Sequence, residues 1–318
     1  MHLGVDIAKR KFDCALLIDE TRFRTKVFDN TAAGIEACLG WIAKQGGGQR
    51  VHACIEATGP YGEALACALH EAGHTVSVVN PARSRAYAQS RGVRTKTDAV
   101  DARTLALMCQ ANKPQPWTPP PMSIRQLQEL VRRLDALTQM HTQEVNRRAV
   151  AHEAVVASIE QMLASLEEQI KAIKVQIAQH IDQDPTLRQQ RDLLATIPGV
   201  GPSTTAWLIA ELNAKKFACA RQAAAYTGVT PAHRQSGTSV RGKPKLSKTG
   251  NGRLRKSLYW AAITALRHNP VVRAMGERLR ERGKHNMAII AAAMRKLIHI
   301  AFGVLKSGQP FNPTPSNT

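Results

Sequence analysis

Residues 2–28 read HLGVDIAKRKFDCALLIDETRFRTKVF, and this stretch decides the fold of the N-terminal half. It holds three short runs suited to strands, Leu3–Ile7, Phe12–Ile18 and Arg22–Phe28, separated by short polar breaks. That spacing predicts an antiparallel meander. Working outward, a helix is expected over Ala32–Lys44, closed by Gly46-Gly47-Gly48. A strand over 51–55 follows, then a helix over 61–72 with Tyr61, Leu65 and Leu69 at helical spacing, then a strand over 75–79. Pro81 opens another helical stretch, and Asp98–Ala111 is the last helix before a proline-rich segment. Three antiparallel strands followed by β-α-β is the order of a ribonuclease-H-like sheet. The expected fold class is therefore α/β in the N-terminal part and mostly helical beyond it.

Four carboxylates stand out in this frame. Asp6 ends the apolar run Leu3-Gly4-Val5, and Glu56 ends Val51-His52-Ala53-Cys54-Ile55. Asp98 and Asp101 are three apart at the start of a helical segment, which puts them on one helix face. The chain has 44 Lys and Arg against 24 Asp and Glu, a net charge of +20. Acids at the ends of buried strands in so basic a protein point to divalent metal held against a phosphodiester.

Composition narrows the class further. A pI of about 10.2 calls for a polyanionic partner. Aromatic residues make up only 4%, which argues against stacking on single-stranded bases as the main binding mode. No run of 18 apolar residues occurs, so no membrane partner is expected, and the chain begins directly in a strand-like segment without a signal peptide. Six cysteines are scattered without a CxxC pair, which fits reduced thiols and a cytoplasmic location better than zinc or disulfides. The charge is uneven: residues 1–182 carry 22 basic and 19 acidic residues, whereas 183–318 carry 22 basic and only 5 acidic.

Pro114–Pro121 holds five prolines and reads as a linker. Beyond it Val155, Ile159, Met162, Leu166, Ile170, Ile173, Ile177 and Ile181 repeat at near-heptad spacing. This predicts a coiled coil or helical hairpin that carries oligomer contacts, with a long helix packed on its own domain as the plainer reading. Next, Ile197-Pro198-Gly199-Val200-Gly201 precedes a helix over Thr204–Leu212, the pattern of a helix-hairpin-helix. Gly199 and Gly201 would let backbone amides approach a phosphate at a helix N-terminus.

Residues 226–256 read YTGVTPAHRQSGTSVRGKPKLSKTGNGRLRK, whose Gly, Ser, Thr and Pro content predicts a loop. From Arg234 to Lys256 there are eight Lys or Arg and no acid, and Arg241, Lys243, Lys245, Lys248, Arg253, Arg255 and Lys256 are the expected nucleic-acid contacts. A serine in this setting has the chemistry to attack a phosphorus whose charge the cations neutralise. Ser236, Ser239 and Ser247 are equal candidates on physical grounds.

Taken together these pieces resemble the insertion-sequence "one-ten" family of transposases, the DEDD recombinases related to the Piv invertases. The matching segments are Gly4-Val5-Asp6-Ile7-Ala8-Lys9, Ile55-Glu56-Ala57-Thr58-Gly59, Asn80-Pro81 and Lys96-Thr97-Asp98-Ala99-Val100-Asp101-Ala102. They continue with Ile197-Pro198-Gly199-Val200-Gly201, Tyr226-Thr227-Gly228-Val229-Thr230-Pro231, Ser236-Gly237-Thr238-Ser239-Val240-Arg241-Gly242 and Ser247-Lys248-Thr249-Gly250, in order over nearly the whole chain. The resemblance implies a RuvC-like N-terminal domain, coiled-coil helices in the middle and a transposase domain with a nucleophilic serine. The corresponding boundaries are 1–113, 114–183 and 184–318. It implies that Asp6, Glu56, Asp98 and Asp101 hold Mg²⁺, with two ions expected, and that Ser236 forms a 5′-phosphoserine link to DNA. It also implies donor and target double-stranded DNA as partners, a noncoding bridge RNA as guide, and a homo-oligomer, dimer or tetramer.

Two other functions use fewer of these residues. A RuvC-type structure-selective nuclease with water as nucleophile uses the four acids and leaves the Ser-Gly-x-Ser segment idle. A non-enzymatic nucleic-acid-binding protein uses the basic half and leaves Asp98 and Asp101 idle.

Overall fold

The computed structural model describes residues 1–314 apart from 20, 58, 96 and 237–239, and the side chains of 60, 233–236, 240, 241, 243 and 244 lie outside the described set. The chain divides into two compact units, Met1–Pro119 and Pro120–Thr318.

The first unit is a five-stranded sheet with helices. Strands β1 (His2–Ile7), β2 (Lys11–Leu17) and β3 (Phe23–Asp29) form the expected meander, and helix α1 (Ala32–Gln45) leads to β4 (His52–Glu56). A single 3₁₀ turn at Gly59–Gly62 precedes helix α2 (Glu63–Glu71), which returns the chain to β5 (Thr75–Val79). Helices α3 (Pro81–Ser90) and α4 (Asp98–Asn112) complete the unit. The strand order is β3-β2-β1-β4-β5. The pairs β1/β2 and β2/β3 are antiparallel, while β1/β4 and β4/β5 are parallel.

Side chains alternate faces along each strand, which gives the sheet two distinct sides. Leu3, Val5 and Ile7 pack with Ile35 and Ile42 of α1 and with Leu65 and Leu69 of α2. Cys54 and Val79 pack on the other side with Leu105, Met108 and Cys109 of α4. Helix α4 crosses β1 at Gly4, where a Cβ would stand 1.9 Å from the Ala102 carbonyl oxygen and 2.4 Å from the Ala106 nitrogen. Only glycine permits that approach.

The second unit is mainly helical. It comprises α5 (Met122–Arg148), α6 (Glu153–Gln183), α7 (Pro185–Ala195), α8 (Pro202–Leu212), α9 (Ala220–Thr227), α10 (Gly252–His268), α11 (Pro270–Glu281) and α12 (Asn286–Ser307). The segment expected to be loop contains a two-stranded hairpin, β6 (Pro231–Ser236) and β7 (Val240–Leu246), with a register shift between Ala232 and Arg234. Leu246 at the end of β7 packs against the helical core, which anchors a ribbon whose other residues are too polar to signal a strand.

Helices α5 and α6 form an antiparallel hairpin, with Arg133 donating to Gln169 at one level and Arg148 to Glu160 nearer the turn. Ile159, Leu166, Ile177 and Ile181 of the predicted seam are buried, and Ile170 and Ile173 pack at the edge of the core. Val155 and Met162, towards the turn, are about half exposed at 49% and 52%. The lower seam thus belongs to the core of its own chain, together with Val131 of α5, Leu208 of α8, Leu258 of α10 and Leu297 of α12. Helix α12 has the length and apolarity of a membrane span. Arg295 and Lys296 interrupt it, and Ile289, Ala293, Leu297, Ile298 and Ala301 are buried against the other helices.

Candidate active site and nucleic-acid interface

The register of the sheet assembles the acids. Asp6 lies on the same side of β1 as Gly4, which is the side α4 covers. Asp13 pairs directly with Asp6 across β1 and β2, so it shares that side. Glu56 follows Cys54 by two residues on β4 and shares the side as well. Helix α4 begins at Asp98, and the Thr97 side chain caps it by accepting from the Val100 nitrogen at 3.3 Å. Asp98 and Asp101 fall in its first turn, where the helix dipole favours negative charge.

The electrostatics show that these groups feel one another. Burial raises the Asp6 carboxyl from 3.8 to about 6, and Asp101, Asp98, Glu56 and Asp13 push it the same way. Lys11 lies among the acids, 2.9 Å from Asp98 and 3.1 Å from Asp13, and its hydrogen bond holds Asp98 below the usual carboxylate range. Glu56 accepts a 2.6 Å bond from the Ser84 hydroxyl of α3, which orients it. Asp13, Lys11 and Ser84 escaped the sequence reading, and only the strand register and the position of α3 reveal them. Among the described residues, no three His, Cys, Asp or Glu side chains close around a single metal position. The donors are all carboxylate oxygens, the ligand type that Mg²⁺ prefers, and their mutual repulsion is the kind a divalent cation relieves.

The other predicted positions lie in the second unit and differ in use. Gly199 has φ +96, and a Cβ there would meet the Ala265 nitrogen at 2.7 Å. Its lack of a side chain lets α10 pack against the turn. Gly201 caps α8 with open space beside it, so its backbone is approachable. Arg255 is committed internally, donating to the Thr227 carbonyl at 3.0 Å and the Lys248 carbonyl at 3.3 Å. This ties the start of α10 to the two turns that carry the β6–β7 hairpin. Asn251 strengthens the joint through a 2.7 Å backbone bond to Tyr226, whose hydroxyl donates at 2.7 Å to the buried Glu211. Lys248 adopts a left-handed φ of 53 in one of those turns, and Lys245 is exposed. Arg253 and Lys256 are exposed and approach Asp135 of α5 at 3.7 and 2.9 Å.

Ser236 closes β6, opposite Val240 at the end of the hairpin where the chain passes from β6 to β7. Arg241 and Lys243 belong to β7. The side chains of Ser236, Arg241 and Lys243, and the whole of Ser239, lie outside the described residues. Ser247 is half-buried, and its hydroxyl accepts from Thr230 at 3.3 Å.

Comparison with known proteins agrees with this layout. Residues 3–151 match a transposase family model of the DEDD, IS110 type, and residues 191–277 match the transposase model of the IS116/IS110/IS902 family. Pilin gene-inverting proteins of Moraxella bovis and Moraxella lacunata are each 32% identical, over 98% of this chain and 97% of theirs. An uncharacterized 43.6 kDa protein of insertion element IS110 from Streptomyces coelicolor is 31% identical over 48% of this chain and 37% of its own length. With acids gathered on one sheet face, a basic helical unit behind them in sequence, and a relative matched from end to end, the chain belongs to the IS110 family of transposases, enzymes of DNA recombination.

Proposed function

We propose that this recombinase cuts and rejoins donor and target DNA through a covalent 5′-phosphoserine link on Ser236, with Mg²⁺ held by Asp6, Glu56, Asp98 and Asp101. The observation that carries the reading is the gathering of Asp6, Asp13 and Glu56 on the sheet face that α4 covers, with Asp98 and Asp101 in the first turn of that helix. The strand order, with a three-stranded meander and then two parallel strands, supports a ribonuclease-H-like, RuvC-like fold for the first unit. The order α7, tight turn, α8 supports a helix-hairpin-helix, with Gly201 as the point where a phosphate meets amides.

In this reading the Ser236 Oγ attacks the scissile phosphorus and loses its proton. The bond from phosphorus to the 3′ oxygen breaks, and that oxygen leaves as a protonated hydroxyl. A 3′ hydroxyl of the exchanged strand then attacks the phosphoserine, and Ser236 regains its proton. The bound cations supply charge neutralisation at the phosphate. The four carboxylates hold the cations, Ser84 steadies Glu56, and Arg255 steadies the hairpin that carries Ser236. The relatives' names point to inversion of a DNA segment as one outcome of this chemistry.

A bridge RNA serves as guide in this scheme. The family resemblance and the excess of 22 basic over 5 acidic residues in 183–318 support it. Assembly as a dimer or tetramer uses the turn end of the α5–α6 hairpin, where Met140, Val145, Val150, Val155 and Met162 are exposed. The protein acts on DNA in the bacterial cytoplasm, as the bacterial source of its relatives suggests.

The test is capture of the covalent adduct. Incubation with end-labelled element DNA, its RNA and Mg²⁺, followed by denaturation, is expected to leave DNA attached to the protein, with mass spectrometry placing it on Ser236. Ser236→Ala and Asp101→Asn should each abolish the adduct in folded protein, while Ser239→Ala and Ser247→Ala retain it. A link on another serine overturns the assignment. Cleavage with no adduct in the wild-type protein establishes water as nucleophile instead.

A further inference from the structure

Helix α10 presents a stripe that the reaction scheme above does not use in full. Arg253, Lys256 and Trp260 are spaced three and four residues apart, so they follow one another along a single helix face. The opposite face, with Leu254, Leu258, Ala261, Ala262 and Ala265, is buried in the core. Trp260 is 72% exposed, a large apolar area for a helix to leave in water. Its ring stands edge-on to Tyr259 at a centroid distance of 5.4 Å and an angle of 83°, leaving the ring with a fixed neighbour on one side.

This stripe borders a groove of about 780 Å³ lined by residues of α5, α6, α8, α10 and α12. That volume is in the ~300–1,000 Å³ range of clefts that hold a small ligand. Buried Trp207 and Met294 contribute to its lining, and exposed Met287 lies along it with Trp260. Among the described residues that line it, Lys174, Arg253, Arg255 and Lys256 are basic and Asp135 is the one acid. Asp135 is nearly buried and engages both Lys256 and Arg253, which fixes those two cations beside the groove. The result is an aromatic face at one end of a stripe and two placed cations at the other. Seven residues of helix separate Arg253 from Trp260, about 10 Å along the axis.

Charge complementarity selects the occupant. With Arg255 turned to the Thr227 and Lys248 carbonyls, Lys174, Arg253 and Lys256 against Asp135 still leave the groove net positive, which suits an anion, and an exposed indole suits a flat ring. A strand with an unstacked base supplies both, whereas a duplex keeps its base faces covered. We propose that this groove holds an unpaired segment of a DNA strand, one base stacked on Trp260 and adjacent phosphates on Arg253 and Lys256. The inference rests on the chain being a DNA recombinase, which must expose unpaired strand when it exchanges cut ends.

The test uses the full-length protein and three probes: a short oligodeoxythymidylate, a duplex of the same length, and an oligouridylate. Binding is followed by fluorescence anisotropy of labelled probe and by quenching of tryptophan emission. Oligodeoxythymidylate is expected to quench wild-type emission saturably. Trp260→Leu should remove most of that quenching and weaken single-strand binding by about 5- to 150-fold, the range for loss of one stacked base. Trp260→Phe should retain most of the affinity, Lys256→Gln should weaken it less than Trp260→Leu does, and duplex affinity should change little in the two Trp260 variants. Circular dichroism verifies that the variants fold.

If Trp260→Leu binds the oligodeoxythymidylate as wild type does, while duplex binding is intact, the inference is wrong and the recombinase reading stands. Tighter, Trp260-dependent binding of the oligouridylate overturns the assignment to DNA. A drop in oligomer mass in Trp260→Leu with unchanged single-strand affinity makes the groove a contact between copies of the chain. Failure of wild-type protein to bind the oligodeoxythymidylate overturns this inference and leaves the family assignment untouched.

Discussion

Lys11 stands 2.9 Å from Asp98, so the acid cluster of the first unit already contains one positive charge of its own. The same ammonium reaches Asp13 at 3.1 Å. It therefore competes with any metal for the carboxylates it holds. Lys11→Met is expected to raise affinity for Mn²⁺ by about 2- to 5-fold, a modest factor because the pair is half in solvent. Isothermal titration of the folded protein measures it. Unchanged or weaker Mn²⁺ binding would mean that Lys11 does not oppose the ion.

Asp6 gives a pH signature. Its folded carboxyl sits at about 6 against 3.8 for the unfolded group, so the folded state holds the proton more tightly. Stability from this group is complete below about pH 4 and is lost as pH rises through about 6. Asp6→Asn should thus stabilise the metal-free protein at about pH 7.5. After allowance for solvent around a half-exposed carboxyl, the gain is about 1 kcal/mol, or ~2–4 °C in melting temperature. The difference should vanish near pH 4, and added Mn²⁺ should stabilise wild type more than the variant. Calorimetry showing a lower melting temperature for Asp6→Asn at the higher pH would contradict repulsion among the acids.

Gly4→Ala tests how the helix acids are held in place. The new methyl would stand 1.9 Å from the Ala102 carbonyl oxygen, so α4 must lift from β1. A loss of about 1–3 kcal/mol is expected from overpacking. The Asp6 titration should also move back towards the ordinary carboxylate range as Asp98 and Asp101 withdraw. Carboxyl-carbon NMR reads that shift directly, and a wild-type titration curve in the variant would show that the contact is not what positions the acids.

The two ends of the α5–α6 hairpin should separate folding from assembly. Ile177 is 7% exposed, and Ile177→Ser should cost about 3 kcal/mol without changing the mass in light scattering. Val150 is 87% exposed and Met162 52%, and the double variant Val150→Asp, Met162→Glu should melt near the wild-type temperature but form a smaller species. The opposite pattern would place assembly on the lower seam.

Much of the first unit was legible because alternation, turn residues and apolar runs agree there. Leu3–Ile7 became His2–Ile7 and Ala32–Lys44 became Ala32–Gln45, shifts of a residue at the ends. Asp6 and Glu56 draw attention because each ends an apolar run, and Asp98 and Asp101 because they stand three apart at the start of a helical segment. Asp13 does not, because its neighbour in space is set by pairing register, which a single strand does not display. The heptad pattern of α6 predicts a coiled coil or hairpin with oligomer contacts, whereas its lower part packs in the core of its own chain, because such a pattern is the same whether the partner helix comes from another chain or from the preceding segment. The β6–β7 hairpin was hidden by glycine, serine and proline, which mark turns and also occur in solvent-facing ribbons.

The contact of Gly4 with Ala102 and Ala106 has a further consequence. None of these three residues carries a reactive group, yet together they act as the gauge that sets how far the helix-borne acids stand from the strand-borne ones. Enlarging any of them re-spaces the carboxylates without touching one. Variation among relatives at these small residues should therefore change metal preference more often than variation in the loops, because ions of different radius require different carboxylate separations.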